Sequence, residues 1–311
     1  MNTTKRIKHF TPILLMLVVS ISCTSQQREQ QTEENKTNIK SLNLDIPDQY
    51  KTAGFAIGAQ AYTFNRYSVF EAIEKTAKAG GKVIELYPGQ KLTPDESDER
   101  KLEPGVPDAV IKEVKDTLKT HNLMAVNFGV VGLPNDEERL RTVFDFAEKL
   151  GVKAITSEPS MEAMDLIENM VKEYNIAVAI HNHPPREDNP DYKHWDPEFV
   201  LSLVEGRDKR VGVCADIGHY VRSDIKPTDA MKLLEGRIIS LHFTDVDQYG
   251  AEGEDVVVGN GVIDIPAVLS ELERQHFAGH ISIEFEANWM ENMPDVAQFV
   301  GFVKGWADTK N

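Results

Sequence analysis

The sequence predicts an α/β fold, a single-domain (β/α)₈ TIM barrel, on three observations. From about Phe55 onward, eight short apolar segments alternate with amphipathic stretches. Strands separated by helices imply right-handed parallel crossovers, and eight such units close into a barrel more readily than they form an open sheet. The chain of 311 residues suits one barrel with a large core. We therefore expect one barrel over residues 51–311.

The eight predicted strands are short runs rich in Val, Ile, Ala and Phe, bounded by polar or glycine-containing segments. They are Phe55–Ala59, Lys82–Leu86, Met124–Phe128, Ala154–Ser157, Ala177–His181, Val211–Ala215, Ile238–Phe243 and Ile281–Phe285.

The predicted helices show apolar residues at helical spacing, as Val69, Ile73 and Ala77 do on the first. They are Val69–Lys78, Val110–Thr120, Glu138–Leu150, Met161–Lys172, Thr228–Leu234, Pro266–Arg274 and Asp295–Trp306. Gly151 and Gly279 follow helices just before strands, where a left-handed cap is expected.

The N-terminus carries an export signal rather than part of the fold. Three basic residues precede an apolar run over residues 13–19 that is too short to span a bilayer comfortably. The sequence Ser20-Ile21-Ser22-Cys23 resembles a bacterial lipobox, although Ser20 stands where Leu is usual. We expect a signal peptide over residues 1–22, lipidation of Cys23 and a polar tether over residues 23–50. The alternative is an ordinary signal peptide with an incidental cysteine.

These features predict an exported protein, lipid-anchored to the cell envelope in the periplasm or at the outer membrane. Its only membrane contact would then be the anchor. Cys214 would have no partner, so no disulfide is expected. The formal net charge is −16, and removal of residues 1–22 takes away three basic residues and makes it −19. This negative net charge argues against nucleic acid as a partner. The sequence leaves open whether the protein forms a homo-oligomer.

Polar or ionisable groups stand near the carboxyl end of every predicted strand, which is the active-site end of such a barrel. In chain order they are Gln60, Glu85, Asn127, Glu158, His181, His183, Asp216, His219, His242 and Glu284. Polar residues placed by chance would scatter along the strands, so this pattern predicts an active site.

Five of these residues could enclose one divalent cation, Mn²⁺, Co²⁺, Zn²⁺ or Mg²⁺. They are Glu158, His181, Asp216, His242 and Glu284. Unpaired carboxylates at one barrel mouth repel each other, and a bound cation removes that repulsion.

Several residues away from the predicted strand ends carry separate predictions. Trp195 lies in the long Pro184–Pro197 loop and could stack on a sugar. His194, His276 and His280 are expected to be ordinary loop or surface residues. Asp245 is expected to cap a loop.

The chain resembles the sugar phosphate isomerase/epimerase family, the xylose isomerase-like barrels that include tagatose epimerases and type IV apurinic endonucleases. The resemblance covers about residues 55–306. The motifs lie at residues 83–87, 179–184, 214–219, 241–245, 259–269 and 283–286, and they are specific for the superfamily but not for a substrate.

The resemblance implies a metal held by Asp216, His242, Glu284 and the strand 5 position. The family usually has glutamate at that position, where this chain has His181; on strand 4, Glu158 stands where the endonuclease branch has a ligand histidine. This looks like an exchange between neighbouring strands. The resemblance further implies that His219 and Glu85 face the substrate, and that the reaction begins by removing a proton next to a carbonyl.

We therefore expect a metal-dependent isomerase or epimerase acting on an unphosphorylated sugar or keto-sugar. The expected catalytic residues are Glu158, Glu284, His183 and His219, and the expected substrate-binding residues are Glu85, Gln60, Asn127, His183, His219 and Trp195. The missing strand 5 glutamate argues against simple epimerisation. Exported members of the group look suited to 3-keto-glycosides, so a 3-keto-glycoside lyase is the main alternative. A metal-dependent hydrolase and a non-catalytic sugar-binding lipoprotein are further alternatives.

Overall fold

The computed structural model describes residues 41–95 and 97–310, and its centre is a closed barrel of eight parallel strands. Each strand pairs with its neighbours in sequence, and the first pairs with the last. The strands are β1 (Ala56–Gln60), β2 (Val83–Leu86), β3 (Met124–Phe128), β4 (Ala154–Ser157), β5 (Ala177–His181), β6 (Val211–Asp216), β7 (Ile238–Phe243) and β8 (His280–Ile283). The predicted fold class is confirmed, and each strand lies within two residues of its expected bounds.

Helices surround the barrel in the described part of the chain. They are α1 (Val69–Lys78), α2 (Asp108–Thr120), α3 (Glu137–Leu150), α4 (Met164–Tyr174), α5 (Pro197–Val204), α6 (Ile217–Arg222), α7 (Pro227–Leu233), α8 (Ile265–Arg274) and α9 (Met293–Asp308). None of these helices is both long and apolar enough to cross a bilayer.

Sequence analysis missed two of these helices, α5 and α6. Helix α6 has six residues and is mostly buried, and α5 has only eight, too few for the helical spacing of its buried residues Pro197, Val200 and Val204 to be recognised. Asp216 closes the start of α6, because its Oδ1 accepts the backbone N–H of His219 at 2.6 Å. The last residue of β6 is thus also the cap of the helix that follows it.

Two glycines expected to be left-handed caps behave differently. Gly151 has φ 86°, as predicted. Gly279 is not left-handed, and a Cβ atom there would lie 1.8 Å from the carbonyl oxygen of Ile239. Gly279 is therefore needed for close approach of β8 to β7, and its prediction as a left-handed cap is wrong.

The loop after β7 is held by Asp245, which is fully buried. Its carboxylate accepts the backbone N–H groups of Val246, Gly259, Gly261 and Ile263 at 2.9–3.2 Å. The predicted capping role of Asp245 is confirmed. Its bonds tie down a short ribbon in which Asp245–Val246 pairs with Asp255–Val256.

The floor of the barrel, at the amino ends of the strands, is closed by residues that precede β1. Leu44 and Ile46 are buried in one apolar cluster with Ala56, Val83 and Ala177. The compact unit therefore begins at Ser41, and the tether predicted to reach residue 50 is wrong over residues 41–50. The signal peptide, Cys23 and the rest of the tether lie outside the described residues.

Candidate metal centre and active site

Four side chains from neighbouring strands converge at the carboxyl end of the barrel. His181, Asp216, His242 and Glu284 each offer one donor atom, and these atoms lie within 4.8 Å of one another. His181 Nε2 and His242 Nδ1 are 3.0 Å apart, and His242 Nδ1 is 2.7 Å from Glu284 Oε2. Donors about 2.1 Å from one ion are roughly 3.0–3.4 Å apart in octahedral or tetrahedral geometry. The four residues therefore fit a divalent cation.

Each histidine of this cluster is oriented by a carboxylate behind it. His242 Nε2 donates to Glu85 Oε2 at 3.0 Å, and His181 Nδ1 donates to Glu158 Oε1 at 3.2 Å. The proton on the rear nitrogen of each ring leaves a lone pair on the nitrogen that faces the cluster. Carboxylate partners of this kind fix the tautomer and strengthen histidine as a metal ligand.

The electrostatics also require positive charge at the centre of the cluster. Burial lowers the pKa of His181, but hydrogen bonds to Asp216 and Glu158 outweigh burial and raise it to about 10. Burial also opposes ionisation of Asp216, yet the neighbouring histidines hold its pKa below the usual range. Without an ion, a proton must lie between the facing ring nitrogens. A metal ion would take the place of that proton.

Glu158 lies in a second cluster with His181 and His183. Its Oε1 accepts from Nδ1 of both rings, and its Oε2 accepts from Arg186 at 3.0 Å. Burial would raise the pKa of Glu158, but the two histidines hold it well below its usual range. Of the five predicted metal ligands, the structure thus groups four around one point and places Glu158 behind His181.

The metal cluster opens into a cavity of about 380 Å³. It is lined by Gln60, Tyr62, Tyr87, Pro88, Val130, His181, His183, His219, Glu284 and Glu286. Histidines and glutamates form one part of its wall, and tyrosine, proline and valine form another. The lining contains no lysine or arginine among the described residues.

His219 and Glu286 belong to this wall but not to the metal cluster, and the pKa of each is shifted. Burial lowers the pKa of His219 to about 3, so its ring is neutral near pH 7. Loss of solvent and the nearby charge of Glu284 raise the pKa of Glu286 to about 7. Arg222 links His219 to Glu286. Its guanidinium lies 3.4 Å from His219 Nδ1 and pairs with Asp255, and the Asp255 carboxylate accepts the backbone N–H of Glu286.

Three residues expected to bind substrate do not reach the cavity. Glu85 and Asn127 are fully buried beneath the ligand layer, where Asn127 bonds to Thr156 Oγ1 at 2.7 Å. Trp195 donates to the carbonyl of Tyr192 and lies outside the cavity lining. These three expectations are wrong, whereas Gln60, His183 and His219 do line the cavity.

His280 was expected to be an ordinary loop or surface residue, and that expectation is wrong. It begins β8, is fully buried, and lies 3.5 Å from Glu85 Oε2 and 3.2 Å from the amide of Asn127. Its position could have been found, because His280, Ser282 and Glu284 alternate along one strand and share a face. Tyr62, in a 3₁₀ helix directly after β1, and Tyr87, directly after β2, also line the cavity, and neither was among the predicted site residues.

A closed parallel barrel with ionisable side chains converging at its carboxyl end is the architecture of an enzyme of the α/β-barrel class. Residues 73–301 match the model of the xylose isomerase-like TIM barrels. The chain belongs to that family. Comparison with curated proteins gave no match.

Solved structures support this membership. An uncharacterized protein from Parabacteroides distasonis ATCC 8503 is 30% identical, with a TM-score of 0.65, covering 82% of this chain and 99% of its own. A D-tagatose 3-epimerase-like protein is 19% identical, with a TM-score of 0.61 and coverage of 82% and 98%. The IolI protein, whose structure contains a zinc atom, is 15% identical, with a TM-score of 0.58 and coverage of 82% and 98%. At this identity, the last two similarities establish the fold alone.

Proposed function

We propose that this protein is a metal-dependent enzyme that removes a proton next to the carbonyl of an unphosphorylated keto-sugar, as an isomerase or epimerase does. The observation that carries the proposal is one cavity bordered by two of the four metal donors, His181 and Glu284, and by His183, a histidine paired with Glu158. Two imidazole donors favour Zn²⁺, Co²⁺ or Mn²⁺ over Mg²⁺, which prefers oxygen ligands.

A divalent cation held by His181, Asp216, His242 and Glu284 would supply Lewis acidity toward the substrate's oxygen atoms. The protein's own groups would handle the proton. His183 donates its Nδ1 proton to Glu158, so its Nε2 carries a lone pair that can accept a proton from carbon. Glu158 then stabilises the imidazolium, in the role that a buried carboxylate has in other histidine bases.

The cavity lining supports a substrate without phosphate. Phosphate recognition commonly uses arginine or lysine, and neither lines the cavity in the described chain. Glu284 and Glu286 at the wall would repel a phosphate dianion. We further propose that the protein is exported and anchored through Cys23, which would bring it into contact with sugars and glycosides outside the cytoplasm.

A second candidate function is elimination from a 3-keto-glycoside. In that reaction a base removes the C2 proton, the electron pair forms the C1–C2 double bond, and the C1–oxygen bond breaks as an acid protonates the departing alcohol. The observation that favours it is the position of His183 and His219, whose ring centroids are 4.7 Å apart on the same part of the wall. Two neighbouring imidazoles suit proton transfers at adjacent atoms, and His183, protonated once it has taken the C2 proton, would be the acid that protonates the departing alcohol. Epimerisation requires groups on opposite faces of one carbon.

The test is incubation of the purified, Co²⁺-loaded protein with methyl 3-keto-glucoside in D₂O, followed by NMR. Deuterium at C2 of recovered sugar supports isomerisation or epimerisation, and released methanol supports elimination. His183→Gln should abolish either signal, and His276→Gln, at an exposed position away from the site, is the matched control. Absence of both signals in the wild type would contradict the proposal and favour a hydrolase or a binding protein.

A further inference from the structure

An apolar, aromatic surface continues from the cavity to the outside of the barrel. Tyr62 lines the cavity and contacts Tyr87 edge to face, with ring centroids 5.3 Å apart and an interplanar angle of 77°. On its other side, Tyr62 meets Trp289 at 6.1 Å and 89°. Met290 follows Trp289 and is the most exposed large apolar side chain among the described residues, at 62%. We call Tyr62, Tyr87, Trp289 and Met290 the aromatic rim.

Hydrogen bonds fix the segments that carry the rim. Thr63, next to Tyr62, donates through Oγ1 to the carbonyl of Ile283 at 3.0 Å and accepts the N–H of Phe285 at 2.9 Å. The carbonyl of Thr63 accepts from the side-chain amide of Asn292, and the Tyr67 hydroxyl donates to the carbonyl of Met290. Because the loop after β8 is tied on both sides of Trp289 to the segment after β1, the rim is preorganised. A preorganised surface loses little entropy when it binds a ligand.

Tyr62 and Met290 are exposed at the mouth of the cavity, whereas Tyr87 and Trp289 are half-buried. Soluble proteins rarely expose contiguous apolar surface that has no binding role. The rim continues the cavity wall outward, so its ligand is an extension of the molecule that occupies the cavity. Trp289 and Met290 also line a depression of about 610 Å³ on the outer side, which leaves room for that extension.

We propose that the aromatic rim is a subsite for a flat aromatic aglycone of a glycoside whose sugar ring occupies the cavity. The proposal rests on the proposed function and specifies its substrate as an aryl glycoside rather than a free sugar. Mutually perpendicular rings and a methionine offer edges, faces and a polarisable sulfur to an aromatic ring. Polar side chains surround the rim, because Asn288, Glu291 and Asp295 line the outer depression and Arg66 lies over the Trp289 ring at 5.9 Å, so hydroxyl groups carried by the aromatic ring would find partners there.

Calorimetric titration with unoxidised glucosides tests the subsite separately from the reaction. The probes are phenyl β-glucoside, methyl β-glucoside and cellobiose, none of which carries the 3-keto group. We expect the purified protein to bind phenyl glucoside about ten-fold more tightly than methyl glucoside, and cellobiose no more tightly than methyl glucoside. In Trp289→Ala and Tyr62→Ala the ratio of phenyl to methyl affinity should fall toward one.

Two variants serve as controls for this experiment. Trp289→Phe retains an aromatic ring and should keep most of the preference. Tyr249→Ala removes a tyrosine that is 43% exposed outside the cavity lining and should leave the ratio unchanged. Equal affinities for the phenyl and methyl glucosides, no binding of phenyl glucoside, or a preference for cellobiose would each overturn the proposal. Deuterium exchange into methyl 3-keto-glucoside, or release of methanol from it, would still report on the reaction. The two proposals can therefore fail independently.

Discussion

Replacement of Glu85 should weaken metal binding although Glu85 lies too deep to touch the ion. Its carboxylate is fully buried and accepts from His242 Nε2 at 3.0 Å. Glu85→Gln retains an oxygen acceptor and removes the charge, whereas Glu85→Leu also leaves the N–H of His242 buried without a partner. Loss of such a partner typically costs about 10–100-fold in metal affinity, which is roughly 1.4–2.8 kcal/mol. We expect the loss of metal affinity to lie at the lower end of this range for Glu85→Gln and at the upper end for Glu85→Leu.

The assay is calorimetric titration of EDTA-treated protein with Co²⁺, with Tm measured for each variant to confirm folding. Glu271→Gln is the matched control, because Glu271 is also a buried glutamate but pairs with Arg274 on α8, away from the metal cluster. It should leave the Co²⁺ affinity unchanged. If Glu85→Leu is folded and binds Co²⁺ as tightly as the wild type, Glu85 does not orient His242 and the reasoning is wrong.

Three further predictions follow from the same geometry. His242→Ala should remove the divalent ion, so elemental analysis should find about one equivalent in the wild type and almost none in the variant. Because the pKa of His181 is raised from 6.5 to about 10, its protonation stabilises the metal-free fold fully below pH 6.5, and that stability is lost as the pH rises toward 10. A bound ion displaces the same proton, so Co²⁺ affinity should rise with pH over this interval, and a flat profile would contradict the assignment. Leu44→Ala should lower the free energy of unfolding in urea by about 2–3 kcal/mol, whereas Leu233→Ala, at a position 41% exposed, should change it by less than about 0.5 kcal/mol.

The barrel could be predicted from sequence because its determinants are local. Each strand is a short apolar run next to a helix with an apolar stripe, and β3, β4, β5 and β7 begin and end at the predicted residues. The helices that were missed, α5 and α6, have eight and six residues, which is too few for a helical period to be recognised in the sequence. The packing of Leu44 on the floor was likewise hidden, because a single aliphatic residue in a polar segment has no pattern to reveal its contact.

The sequence predicted which residues form the candidate metal cluster better than it predicted the contacts between them. Convergence of His181, Asp216, His242 and Glu284 follows from their place at the ends of parallel strands. Which nitrogen of a histidine faces the cluster depends on the group behind it, and that group comes from another strand, which lies next to the histidine's strand for Glu158 and farther around the barrel for Glu85. For this reason sequence reasoning assigned Glu85 to the substrate and Glu158 to the metal, whereas both lie behind a histidine in the structure.

Glu158 accepts from two histidines through one oxygen, and this sharing limits how the site can be redesigned. His181 belongs to the metal cluster and His183 is the proposed base, so any replacement of Glu158 perturbs both histidines at once. A loss of turnover in a Glu158 variant would therefore not identify which of the two had failed. An engineer who wishes to change the base while retaining the metal should vary His183 and leave the shared carboxylate intact.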